Sequence, residues 1–406
     1  MTSNLPTLPN GWEWKKLGSV CSFIRGPFGG SLKKQIFIDS GYAVFEQSHA
    51  IYDSFVSFRY FIDENKFNEM KRFKIQEGSL IMSCSGTIGK VAIVPKGVQQ
   101  GIINQALLML TPDKNLYNRF LKFLMQSSVF QNNLSEYTTG AAINNIASVK
   151  ILKEIRIPLP PLEEQKRLVS LLDTLFAKID RSLELLSENI TAADALLPSA
   201  LNTVFGELEE KWESENFDSI CKNIKYGHTA KASDIGNAVF LRITDIDDDG
   251  KIKTDTLKYT TVDEKEFDKY KVDQDDILIA RSGATAGKVS LWDLEHNAIF
   301  ASYLIKFSPI KEKINARYLF NFCHSPMYWK QLNLIKVGGA QPNVNATNLK
   351  EITIPLPPLD IQTQTVAYLD SVRDKVEMLK KAQNDKKARL IALKASILDR
   401  AFKGAL

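Results

Sequence analysis

Two closely matching stretches constrain this chain more than any other feature: Ile155-Arg156-Ile157-Pro158-Leu159-Pro160-Pro161-Leu162 and Ile352-Thr353-Ile354-Pro355-Leu356-Pro357-Pro358-Leu359. Proline fixes φ, removes a backbone donor and holds the residue before it extended, so neither stretch can be helical throughout. Pro161 and Pro358 suit the first position of a helix, where the missing N–H is no loss. A long apolar-periodic segment follows each stretch. Each is therefore a hinge between a folded region and a helix, and the two lie about half the chain apart, which is the mark of an internal duplication.

The landmarks between the hinges support that duplication. Trp212 answers Trp12, Cys221 answers Cys21, and Ile277-Leu278-Ile279-Ala280 answers Leu80-Ile81-Met82-Ser83. Ser308-Pro309 answers Thr111-Pro112, and Arg317-Tyr318-Leu319 answers Arg119-Phe120-Leu121. Short β-like runs separated by turns, then a helical stretch from about Asn118 to Gln131 with Phe120, Leu121, Leu124 and Met125 on one face, read as an α+β domain. Between landmarks the copies diverge, as in Lys33-Lys34-Gln35-Ile36 against Ser233-Asp234-Ile235-Gly236. The expected organisation is a recognition domain over 1–157, a helical region over 158–206, a second domain over 207–354 and a second helical region over 355–406. One scaffold is used twice with different surfaces.

After the first hinge, Leu168, Leu172, Leu175, Ile179, Leu183, Leu186 and Ile190 step by three or four, and the stripe runs on to Leu201. After the second, Leu369, Val372, Val376, Leu379, Gln383, Lys386, Leu390, Leu393 and Ile397 do the same. Helices of about 45 residues span roughly 65 Å. Apolar stripes of that length need a partner, and the two are expected to pair as an antiparallel coiled coil, which keeps the equivalent domains apart. Gln383 and Lys386 read as polar, register-setting seam positions. Pro198 predicts a kink or an early end to the first helix.

Composition excludes several classes. With 406 residues, 44% hydrophobic and 24% charged, the chain has the make-up of an ordinary globular protein with more than one domain. No run reaches membrane-spanning length and the N-terminus lacks a signal-peptide pattern, so a cytoplasmic location is expected. Cys21, Cys84, Cys221 and Cys323 form no C-x-x-C pair and read as buried thiols, with no metal site. A net charge of +5 permits nucleic acid without requiring it. There is no nucleotide or S-adenosylmethionine loop, no [DN]-P-P-[YF] methyltransferase tetrapeptide and no nuclease carboxylate cluster. Asp245, Asp247, Asp248 and Asp249 beside Gly250 read as a turn. The chain recognises and leaves chemistry to partners.

Candidate contacts for nucleic acid lie in the turns and in the divergent parts. Ser85-Gly86-Thr87-Ile88-Gly89-Lys90 and Ser282-Gly283-Ala284-Thr285-Ala286-Gly287-Lys288 lack the first glycine and the final hydroxyl of a phosphate loop. They read either as turns joining two strands or as turns whose Ser85, Thr87, Lys90, Ser282 and Lys288 meet a DNA phosphate. The loops Thr138 to Asn145 and Gly338 to Asn345 offer Thr138, Asn144, Asn145, Gln341, Asn343 and Asn345; amides of this kind bond bidentately to adenine edges. Arg25, Lys33, Lys34, Arg59, Lys225, Lys231, Arg242 and Arg281 supply cations for a phosphate-contacting face.

Two divergent domains, each followed by I-P-L-P-P-L-x-x-Q and a long helix, closely resemble the specificity subunit of type I restriction-modification systems. The residues that carry the resemblance are Ile157 to Gln165, Ile354 to Gln362, the start Leu8-Pro9-Asn10-Gly11-Trp12 and the paired Ser-Gly…Gly-Lys turns. The resemblance covers essentially the whole chain. It implies two target recognition domains that each read half of a bipartite, asymmetric DNA sequence, with the helices as a ruler for the gap. It also implies two methyltransferase subunits, which flip an adenine and methylate N6 with S-adenosylmethionine, and restriction subunits that use ATP and magnesium. No cofactor is expected in this chain itself. The rival readings are a recognition subunit for a combined methylase-nuclease and a duplicated coiled-coil scaffold that binds no DNA.

Overall fold

The computed structural model describes residues 7–136, 149–336 and 343–406. It divides into two compact units, one of Met1–Leu185 with Asp385–Leu406 and one of Leu186–Asn384. The C-terminal part of the second long helix thus folds with the first domain, a grouping that no linear division of the sequence contains.

In the first unit, Glu13–Lys16 pairs antiparallel with the proline-bearing strand Arg156–Leu159, Trp14 lying opposite Pro158. Proline is tolerated in a two-stranded ribbon because one strand edge needs no donor. A four-stranded antiparallel sheet runs in the order Cys21–Arg25, Leu107–Pro112, Leu80–Ser83, Val91–Ile93. A three-stranded sheet orders Phe61–Ile62, Tyr42–Phe45 and Gly101–Ile103, the last two parallel. Every residue of Leu80–Ser83 is buried because both faces of this strand are covered. Leu80 and Met82 face Phe120, Leu121 and Leu124 of the helix Asn118–Gln126. Ile81, one residue out of phase, faces Phe45 and Ile103.

The second unit repeats this plan. Ser214–Asn216 pairs with Thr353–Pro355; the four-stranded sheet orders Cys221–Tyr226, Leu304–Pro309, Ile277–Ala280, Val289–Leu291; the three-stranded sheet orders Tyr259–Thr260, Ala238–Leu241, Ala298–Phe300. Ile277 and Ile279 pack on Tyr318, Leu319 and Phe322, while Leu278 and Ala280 pack towards Trp292 and Phe300.

The hinges work as expected, with one shift. The helices begin at Leu162 and Leu359, so Pro161 and Pro358 cap them from outside, and their carbonyls accept from Gln165 and Gln362 N–H at 3.0 Å each. The first long helix runs Leu162–Asp194 and a second helix, Leu196–Lys211, follows after Ala195. The break follows from Pro198, which has no N–H to return to the Asp194 carbonyl. The other long helix, Leu359–Phe402, is unbroken.

Within each unit the long helices pair antiparallel. In the first, Lys394 Nζ meets Asp180 at 2.6 Å, and Leu168, Leu172 and Phe176 share a core with Leu398, Ala401 and Phe402. In the second, Lys380 meets Asp194 at 2.5 Å, and Leu201 and Phe205 share a core with Leu369. The seam differs from expectation at two points. Lys386 is exposed and Leu393 is 47% exposed, because the stripe here covers only part of the helix face. Gln383 is half-buried, and its Oε1 has no hydrogen-bond partner among the described residues.

Candidate nucleic-acid interface

The two copies of the scaffold present equivalent edges where the four-stranded sheet ends. Strand pairing defines the equivalence. Cys21 lies opposite Pro112 and Arg25 opposite Leu108; in the other copy Cys221 lies opposite Pro309 and Tyr226 opposite Ile305. The second copy reaches the same edge with one more residue, because a bulge interrupts the pairing between Lys222 and Lys225 and Asn223 takes a left-handed φ of 53°. A glycine follows each edge residue. Gly26 N–H donates to the Leu107 carbonyl at 3.0 Å and Gly227 N–H to the Leu304 carbonyl at 3.2 Å. A Cβ on Gly26 would lie 1.8 Å from the Asn104 carbonyl oxygen, and one on Gly227 2.3 Å from those of Phe300 and Ala301, so both sites require glycine.

Two strands across, the third strand of each sheet runs on into Cys84 or Arg281, whose N–H groups donate to the carbonyls of Ala106 and Tyr303, beside the strand between, at 2.9 Å each. The first edge therefore carries Arg25, Cys84 and Ala106, and the second carries Tyr226, Arg281 and Tyr303. Arg25 lies beside the buried Cys84 thiol; burial pushes that thiol up to about 12, while the guanidinium pulls it down. Arg25 Nη1 is buried without a hydrogen-bond partner among the described residues. In the second domain the Arg281 guanidinium stacks 4.8 Å from the Tyr226 ring centre, and the Tyr226 hydroxyl accepts from Ala346 N–H at 2.9 Å. Tyr303 is 61% exposed.

The Ser-Gly…Gly-Lys segments are turns between strands. Gly86, Gly89, Gly283 and Gly287 all have positive φ, and Gly89 and Gly287 N–H donate back to Ser83 and Ala280 carbonyls. Thr87 and Lys90 are exposed and Ser85 is half-buried. Lys288 reaches Asp248 at 2.5 Å, which holds that exposed carboxyl below its usual range. Ser282 forms a backbone bridge with the exposed Asn343, which brings the end of the second polar loop to Arg281. Asn345 is committed locally, its side chain capping the short helix Ala346–Lys350 through Asn348 N–H at 2.8 Å. Thr138, Asn144, Asn145 and Gln341 lie outside the described residues.

The remaining cations divide by environment. Lys33, Lys34 and Lys231 are exposed. Arg59 lies over the Tyr60 ring at 5.0 Å, and Lys225 Nζ donates to the Lys269 carbonyl at 3.1 Å. Arg242 braces its own turn by binding the buried Asp245 through Nε at 3.0 Å and Nη2 at 2.6 Å. Asp245 is thus a buried ion-pair partner within the turn expected from the sequence. Among the described residues, no group of three or more His, Cys, Asp or Glu is arranged to hold a metal, and no helix is long and apolar enough to cross a membrane.

The model of the type I restriction modification DNA specificity domain matches residues 9–188 and again 209–386. The chain belongs to this specificity family. The double match covers both repeats. The chain is 26% identical to the EcoKI specificity subunit of Escherichia coli K12, spanning 98% of this chain and 90% of that one. It is 25% identical to the MjaVIII specificity subunit of Methanocaldococcus jannaschii, over 92% and 89%. The fold is that of the HsdS subunit from Thermoanaerobacter tengcongensis, with a TM-score of 0.66 at 24% identity over the full length of both chains. A chain from a type I restriction-modification complex matches with a TM-score of 0.77 at 23% identity, over 99% of this chain and 100% of that one.

Within this specificity family member, sequence reasoning overlooked Tyr226 and Tyr303, which share the edge with Arg281, and Phe28, which is 92% exposed two residues past Gly26. An aromatic beside the edge glycine is a usable signal for Tyr226 and Phe28. Tyr303 has none, because its place at the edge depends on its strand's register.

Proposed function

We propose that this chain is the non-catalytic sequence-reading subunit of a type I restriction-modification complex, each domain reading one half of a bipartite, asymmetric DNA target. The observation that carries this reading is one scaffold used twice, with matching hinges and strand orders but different edge residues. Identical edges would read a symmetric site.

Arg25, Lys33, Lys34, Ser85, Thr87 and Lys90 serve the first half-site. Lys225, Lys231, Arg281, Ser282 and Asn343 serve the second, with Lys288 available once DNA phosphate displaces Asp248. Thr138, Asn144, Asn145 and Gln341 extend the same faces. Arg242 and Asn345 support them from within. The antiparallel helices set the unread gap and dock two methyltransferase subunits. S-adenosylmethionine, ATP and magnesium act in those and in the restriction subunits, and the DNA target places the complex in the cytoplasm.

The test is modification-sensitive sequencing of genomic DNA from cells that express the neighbouring methyltransferase with and without this chain. A split N6-methyladenine motif seen only with the chain is expected. An intact complex that adds no methylation overturns the proposal.

A further inference from the structure

The two edges carry a guanidinium at one structural place but deliver it from opposite strands. Arg25 ends the first strand of the sheet order and reaches Cys84; Arg281 follows the third strand and reaches Tyr226. Transposition of this kind preserves the charged fork and changes its approach by two strand spacings, roughly 10 Å, because one strand lies between them. Neither arginine forms an ion pair among the described residues, whereas Arg242 and Lys288 both do. Arg281 is also pre-positioned. Its guanidinium carbon lies 4.8 Å from the centre of a ring that is itself hydrogen-bonded to Ala346, a contact that restricts how the fork can turn.

A planar, half-buried and oriented fork suits a flat bidentate acceptor, and in the major groove that acceptor is the O6 and N7 edge of guanine. A phosphate contact is met as well by an exposed, mobile lysine, and Lys33, Lys34 and Lys231 supply those. We infer that Arg25 and Arg281 are the paired guanine-reading residues of the two half-sites, related by the duplication although they lie on different strands. The inference rests on the DNA-reading function proposed above and adds which base each domain selects and with which residue.

The experiment compares full-length wild type, Arg25→Lys and Arg281→Lys, each co-expressed with the methyltransferase and read by methylation sequencing. Lysine keeps the charge and loses the bidentate fork. Each substitution is expected to relax one guanine position in one half-site, with discrimination falling roughly 10- to 100-fold and the other half-site unchanged. Arg25→Gln and Arg281→Gln, checked for native thermal unfolding, repeat the measurement without the charge. An unchanged motif in all variants, or a uniform loss of methylation with no relaxed position, overturns the inference and marks the arginines as braces or phosphate contacts. A wild-type complex without any split motif overturns the DNA-reading function instead.

Discussion

Gln362 closes the second hinge on Pro357: its Nε2 donates to that proline's carbonyl at 2.8 Å. The same side chain donates to the Lys313 carbonyl at 3.0 Å and accepts from Asn315 N–H at 2.8 Å. Gln165 does likewise with Pro160, Asn115 and Tyr117. Both amides are wholly buried, so the glutamine that ends each proline motif locks a long helix to its own domain. Gln362→Leu strands three backbone groups, one buried and two part-buried, and is expected to cost on the order of 3 kcal/mol. The readout is hydrogen exchange at the Asn315 amide, which loses protection; unchanged protection would show that the clamp is idle.

Lys306 and Asp276 form a buried ion pair at 2.9 Å, supported by Ser308 on the carboxylate and the Lys271 carbonyl on the ammonium. The first domain holds Met109, Ser79 and Thr111 at the matching strand positions, with Ser79 and Thr111 hydroxyls 2.7 Å apart. Lys306→Met alone leaves a buried carboxylate and is expected to cost about 3–5 kcal/mol. Adding Asp276→Ser recreates the first domain's pairing and should restore most of that in a urea unfolding series. A double variant no better than the single would refute the equivalence.

Arg373 Nη2 donates to Asn321 Oδ1 at 3.0 Å, while Arg373 Nε and Asn321 Nδ2 are buried without a hydrogen-bond partner among the described residues. The first domain places Phe123 and Phe176 in an edge-to-face pair at the corresponding positions. Arg373→Ala should destabilise by about 1–3 kcal/mol, whereas Asn321→Phe with Arg373→Phe should be neutral or stabilising. Thermal unfolding of the two variants decides between a structural and a functional reason for the polar pair.

All four cysteines are buried and free. Burial pushes Cys21, Cys84 and Cys221 from 9.0 up to about 12 and raises Cys323 well above its usual value. Native protein at pH 8 should therefore react with an aromatic disulfide reagent at none of them until it unfolds. The folded state holds these protons more tightly than the unfolded chain. Their contribution is complete below pH 9 and is lost as pH rises from 9 towards 12. A rapid stoichiometric reaction of the folded protein would contradict the burial.

The duplication, the hinges, the one-faced helix from Asn118 (expected to about Gln131, but ended at Gln126 before a second helix from Ser128) and the disruption caused by Pro198 were legible in the sequence because each rests on local chemistry or a short period. Proline geometry and a three-to-four residue stripe need no knowledge of distant contacts. The edge residues were not legible in this way. Counting from Cys21 and Cys221 pairs Arg25 with Lys225; the bulge at Asn223 replaces that match with Tyr226 and sets it against Arg281 from a strand far along the chain. Asp245 reads only as part of an acidic turn; its burial against Arg242 appears once the turn closes. Sequence periodicity determined which faces must be hidden; only strand register and loop closure decided which side chains the hidden faces bring together, because those depend on contacts between residues that no local pattern connects.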